Sequence, residues 1–201
     1  MTKIRISAVL LFSVATVVAV GLTAVSPTRA GEKENAEGDE SRIQQGLNAL
    51  PFDLNLRGKN IAQVGLGSYL VNVTGDCNGC HTSDNQNPYL PGGNPYMGQT
   101  ERLDPSKYLV GGTVFIPAHP GFHAIVSRNL RPEANGLPEG RTFEQFLQII
   151  RTGVDLDKAH PEYGPLLQVM PWPAFRNMTD HDLSAIYAYL SALPPNPTPQ
   201  P

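Results

Sequence analysis

Residues 82–140 are rich in glycine and proline and contain no reliable strand. A structureless stretch of that length needs a surface to wrap, and a large apolar cofactor would supply one. The expectation is an all-α domain of about three main helices, with long loops wrapped around one bound group. No internal repeat is visible along the chain.

Three helices can be placed with a mechanism. Ile61, Val64, Tyr69 and Leu70 fall near one side of a helix running to about Asn72, with Gly65 and Gly67 as small positions where another backbone could approach. A second helix begins at Thr142, with Gln145 completing a capping box. Phe146, Leu147, Ile149 and Ile150 are its apolar residues and Gly153 its stop. The third is capped by Thr179 and carries Asp180 and Asp182 in its first turn. Its apolar residues Leu183, Ile186, Tyr187 and Leu190 repeat until Pro194 halts it.

The bound group is identified by Cys77-Asn78-Gly79-Cys80-His81, the C-x-x-C-H pattern of c-type haem attachment. Two residues between the cysteines let one tight turn present both sulfurs to the vinyl groups along one edge of the macrocycle. His81 is then carried beneath the iron, where its imidazole can bind from the proximal side. Gly79 suits such a turn. Competing chemistries fit less well. A thioredoxin-like dithiol wants a strand ahead of it within a βαβ unit, whereas a helix precedes Cys77. A structural zinc site needs four ligands, and the chain has only these two cysteines. A disulfide across so short a gap would be strained and would leave His81 unexplained.

A second axial ligand must come from elsewhere. Met170 is followed by Pro171-Trp172-Pro173, a stiff segment able to hold a thioether in place just before the last helix. Met178 directly precedes the Thr179 cap, where an apolar residue usually packs back as a staple. Met97 lies in the glycine- and proline-rich loop, where packing is the simpler role. Met170 is therefore the expected ligand, with His119, His123, His160, His181 or an open site as rivals.

The ends read differently from the middle. Ile6 to Val25 carry no charge, follow Lys3 and Arg5, and lead into Ser26-Pro27-Thr28-Arg29-Ala30. The expectation is a signal peptide over 1–30, cleaved after Ala30, or an uncleaved anchor, since an uncharged run of twenty residues is long enough to span a bilayer. Either way the folded part belongs outside the cytoplasm, in the periplasm or a similar compartment. Losing Lys3, Arg5 and Arg29 moves the formal net charge from −3 to −6, which leaves no basic stripe for nucleic acid and favours partners with positive patches. Residues 31–55 open with a polar, acidic run and are expected to form a flexible arm, with the domain over 56–193 and a proline-rich, solvated tail over 194–201.

With these residues in place the chain resembles class I cytochrome c domains, and more closely those associated with membrane-bound dehydrogenases. The resemblance covers about residues 60–193. It is carried by Gly67-Ser68-Tyr69-Leu70, Cys77 to Thr82, Val110-Gly111-Gly112, Ser127-Arg128-Asn129-Leu130, Met170-Pro171-Trp172-Pro173 and Met178 to Leu193. It implies that the first and last helices cross beside the haem, with Gly67 or Tyr69 near Tyr187 or Tyr189, and that Met170 is the distal ligand. Arg131 departs from the threonine common at its position. With both axial positions filled, such a protein carries one electron at a time and leaves substrate chemistry to partners, here a dehydrogenase or other donor and a respiratory acceptor such as a terminal oxidase. The rival is a haem enzyme or gas sensor of peroxidase type with an open sixth position, which needs a distal acid or base.

Overall fold

The computed structural model describes residues 27–157 and 159–196, with side chains from residue 38 onward. Helix α1 spans Pro27–Asn48, α2 Ile61–Ser68, α3 Cys77–Cys80, α4 Phe143–Thr152, α5 Trp172–Phe175 and α6 Asp180–Leu190. Strands β1 (Val114–Phe115) and β2 (Ile125–Val126) form an antiparallel pair of two residues each. The helix-rich architecture agrees with the sequence.

Each of the three expected helices starts where its cap chemistry dictates. Asn60 accepts from the Gln63 amide at the head of α2. The Thr142–Gln145 capping box opens α4, and Gly153 closes it at φ +71. Thr179 accepts from the Asp182 amide and opens α6. The first helix runs on past Asn72 by widening into π-helical turns over Tyr69–Thr74, closed by the Gly75 amide on the Leu70 carbonyl at 2.9 Å. That widening sets the entry to α3.

Helix α2 is packed between two others through its small residues. A β-carbon added at Gly67 would lie 2.0 Å from the Ala185 carbonyl oxygen and 2.7 Å from the Tyr189 β-carbon, so α6 crosses α2 there. Gly65 faces the other way, where a β-carbon would lie 2.9 Å from the Ile43 carbonyl oxygen of α1. The core beside the α2–α6 crossing holds Val64, Val71, Tyr108, Leu109, Tyr189, Leu190 and Leu193. Burying one such side chain contributes about 1.5–3 kcal/mol. A smaller cluster of Leu66, Leu70 and Ala185 takes in Ile43 from α1 and Met178.

Helix α1 corrects the expectation of a flexible arm over 31–55. It crosses α2 at Gly46, whose added β-carbon would lie 1.9 Å from the Gly65 carbonyl oxygen. The Gly46 carbonyl accepts from Ser68 Oγ at 2.7 Å. Leu50, Phe52 and Leu54, beyond the helix, pack on the core. The polar run misleads because, among the described side chains of the helix, apolar contact comes from one turn, Ile43 to Leu47. The tail is corrected in part as well. The Pro194 carbonyl accepts from Arg131 Nε at 2.8 Å and the Asn196 amide donates to the Pro132 carbonyl at 3.0 Å, so the chain beyond α6 is tied to the body. The signal or anchor segment lies outside the described residues up to residue 26, as do residues 197–201 of the tail. Among the described residues no helix is long and apolar enough to cross a membrane.

Candidate functional site

The turn that follows the π-helical segment is entered through Asp76 in a left-handed conformation, φ +42. Helix α3 is one turn, closed by the His81 amide on the Cys77 carbonyl at 2.8 Å. Gly79 leaves room for its neighbour: a β-carbon there would lie 2.6 Å from Asp76 Oδ2, so the carboxylate would have to shift. Asn78 is buried, and its side-chain oxygen accepts from the Leu109 amide at 2.9 Å, which fastens the turn to the loop opposite.

The two cysteines are free thiols on this one turn. Cys77 packs toward the main core, and burial, then Asp76 and Cys80, push its thiol up to about 12. Cys80 is exposed, and burial of its thiol followed by Asp76 raises it as well. A dithiol redox motif works through a depressed thiol, so these shifts run against that chemistry.

His81 ends the turn, and its Nδ1 lies 2.8 Å from the Arg128 carbonyl oxygen. A carbonyl can only accept, so Nδ1 carries the proton and Nε2 keeps its lone pair free for a metal. Burial holds the imidazole below its ordinary range, partly opposed by the bond to Arg128, so the ring is in the neutral form that ligation needs. The loop behind it is tight. The His81 carbonyl accepts from the Gly111 amide at 2.9 Å, and Gly111 sits at φ +71 with room for no side chain. Thr113 Oγ1 donates to the Thr82 carbonyl at 2.8 Å and Thr82 Oγ1 to the Lys107 carbonyl at 3.0 Å, closing the same seam. Two free thiols and a neutral imidazole with a free Nε2, all on one turn, are the donor set that a covalently attached haem needs.

The structure thus brings Cys77, Cys80 and His81 together, while Met170 stands on a separate segment. That segment is pinned by the Leu167 amide on the Gly153 carbonyl at 2.8 Å and by Trp172 Nε1 on the Leu167 carbonyl at 3.1 Å. The Trp172 indole fills the space over Gly153, where a β-carbon would meet it at 2.2 Å. Met170 is half-buried, and its carbonyl accepts from the Trp172 amide at 2.8 Å. Met97 is 72% exposed on its short turn, and Met178 packs against the Leu66, Leu70 and Ala185 cluster as a staple would. Each rival histidine has other contacts. His123 and His160 both bond Glu162, His181 lies 3.5 Å from Asp39, and the His119 ring lies against Phe122. Arg131 is buried, bonded to the Pro194 and Pro105 carbonyls, with its guanidinium 5.9 Å from the Phe52 ring.

Sequence reasoning missed the role of Arg128. Its carbonyl orients His81, and its guanidinium binds Asp155 at 2.5 Å and also Asp157. One residue therefore joins the His81 turn to the loop that leads toward Met170. The only available signal was its place in the Ser127-Arg128-Asn129-Leu130 segment.

Among known proteins, the chain is 29% identical over 157 residues to the cytochrome c subunit of alcohol dehydrogenase (quinone) from Gluconacetobacter polyoxogenes, covering 74% of this chain and 27% of that protein. It is 27% identical over 124 residues to the fructose dehydrogenase cytochrome subunit from Gluconobacter japonicus, covering 62% of this chain and 20% of that protein. A third relative, the alcohol dehydrogenase (quinone) cytochrome c subunit of Gluconobacter oxydans (strain 621H), is 27% identical over 145 residues, covering 72% and 24%. The chain thus spans about a quarter or less of the length of these relatives. No family model and no solved structure matches it. The chain is homologous to cytochrome subunits of dehydrogenases.

Proposed function

We propose that this chain is a single-haem c-type cytochrome that carries one electron at a time, outside the cytoplasm, from a dehydrogenase to a respiratory acceptor. The observation that carries the reading is His81. Its Nδ1–H is spent on the Arg128 carbonyl and its Nε2 is free, one residue after Cys80 and four after Cys77. Cys77 and Cys80 would hold the haem through thioether bonds, and His81 and Met170 would bind its iron. Such a group supplies a reversible one-electron iron couple with no position left for substrate. The residues around it orient and shield. Arg128 fixes the tautomer and direction of His81, Asn78 and Gly111 hold the turn against the opposing loop, and Trp172 and Pro171 stiffen the segment that presents Met170.

The experiment is haem staining after denaturing electrophoresis of protein produced with its export segment. Wild type is expected to stain, Cys77→Ser and Cys80→Ser to stain more weakly, and the double variant not to stain. Staining of the double variant would refute the attachment site.

A further inference from the structure

Beside His81 lies a partly buried group of five charged side chains, with Asp157 at its exposed edge, that the electron-transfer reading does not by itself require. Arg128 binds Asp155 at 2.5 Å, Asp157, and Glu139 at 3.6 Å, and Arg141 also binds Asp157. The Glu139 side chain is 20% exposed, and its residue holds a left-handed backbone at φ +52. With every member ionised the group carries one excess negative charge. One bound proton makes it neutral.

We propose that Glu139 is a redox-linked proton site, coupled to the haem iron by charge through Arg128, taking up a proton from solvent when the iron is reduced and releasing it on oxidation. The inference rests on the proposed haem ligation by His81. The physical link is short: the Arg128 guanidinium reaches Glu139, and the carbonyl of the same residue accepts from His81 Nδ1 at 2.8 Å. That carbonyl has no freedom to drift. A β-carbon at Gly111 would lie 2.4 Å from the Arg128 carbonyl carbon, so the backbone is clamped between Gly111 and His81.

Charge decides the direction. Oxidation adds one positive charge at the iron, which favours the ionised Glu139 carboxylate and expels its proton; reduction removes that charge and favours the neutral acid. The electron arrives from the donor and the proton from solvent, so the step balances as one electron and one proton gained together. The surroundings place the transition where it matters. Burial, opposed by Arg128 and Arg141 and assisted by Asp155, pushes Glu139 up to about 6. Glu133, nearby in the chain, is occupied by the Asn129 amide instead. The outcome is a reduction potential that falls as pH rises through this range.

The test is a potentiometric titration of the haem-loaded protein from pH 4.5 to 8. Wild type is expected to show a falling step centred near the Glu139 transition. Glu139→Gln, which keeps shape and removes the proton site, should flatten that step. Asp155→Asn, which removes a neighbouring negative charge, should move the step to lower pH and leave it present. A step of the same size and position in Glu139→Gln would assign it to another group and overturn the proposal. A wild-type potential independent of pH would overturn it equally. Failure of the ligation itself shows separately, as absence of bound haem or of a reversible low-spin couple in any of the three proteins.

Discussion

A methyl group on Gly111 would press on the carbonyl that orients His81, and the residue already requires a left-handed backbone. Gly111→Ala is therefore expected to cost about 1–3 kcal/mol in stability and to lower the melting temperature by several degrees. Gly98→Ala is the control. It shares a positive φ of 72 but has open space around it, so its loss should be smaller by the steric part. The axial pair gives the second expectation at this scale. Met170→Ala should lower the reduction potential and let the reduced protein bind carbon monoxide, while Met97→Ala and Met178→Ala keep sulfur ligation, as visible spectra will report. Met178→Ala should still cost about 2–5 kcal/mol, because it removes packing from the Leu66 cluster. Single residues were legible where their chemistry is local. The cysteine spacing, the His81 position and the staple role of Met178 are short-range patterns. Arg128 was not legible as a positioning residue, because its partners lie 27 and 29 positions away and it acts on His81 through a backbone carbonyl that any residue type would supply.

Helix α1 carries the main lesson at the scale of elements. Caps, stops and a repeating apolar face made α4 and α6 readable from sequence alone, and their Thr142 and Thr179 bonds appear in the structure. Among the described side chains of α1 the apolar contact comes from one turn, and its crossing with α2 is made by backbone meeting backbone at Gly46 and Gly65. A periodicity search has nothing to find where glycine does the packing. The consequence is measurable. Gly46→Val should separate α1 from α2 and lower the melting temperature, since the added side chain would meet the Gly65 carbonyl oxygen and break the Ser68 Oγ bond to the Gly46 carbonyl. Deleting residues 39–50 should have a similar effect, and an unchanged melting temperature would restore the loose arm.

Across the whole molecule, the loops over 82–140 are held by a seam of side-chain bonds to backbone, made by Asn78 on the attachment turn and by Thr82 and Thr113 beyond it. The charged cluster of Arg128, Glu139, Arg141, Asp155 and Asp157 joins that seam where the Arg128 carbonyl meets His81. Its pH dependence is a stability statement as well. Glu139 ionises near pH 4.5 when unfolded and near 6 when folded, so the folded state holds its proton longer. Stability from this group is then complete below pH 4.5 and lost as pH rises through about 6. The loss is about 2 kcal/mol. Denaturant unfolding at pH 4.5 and 7 should show this fall in wild type and a smaller one in Glu139→Gln. Iron ligation is read from the visible spectrum of the purified, exported protein. The protein is expected to carry one covalent haem per chain, low-spin in the ferric state with the weak long-wavelength band of thioether ligation, and to resist carbon monoxide in the ferrous form. A high-spin ferric spectrum with ready binding of carbon monoxide by the wild type would contradict it.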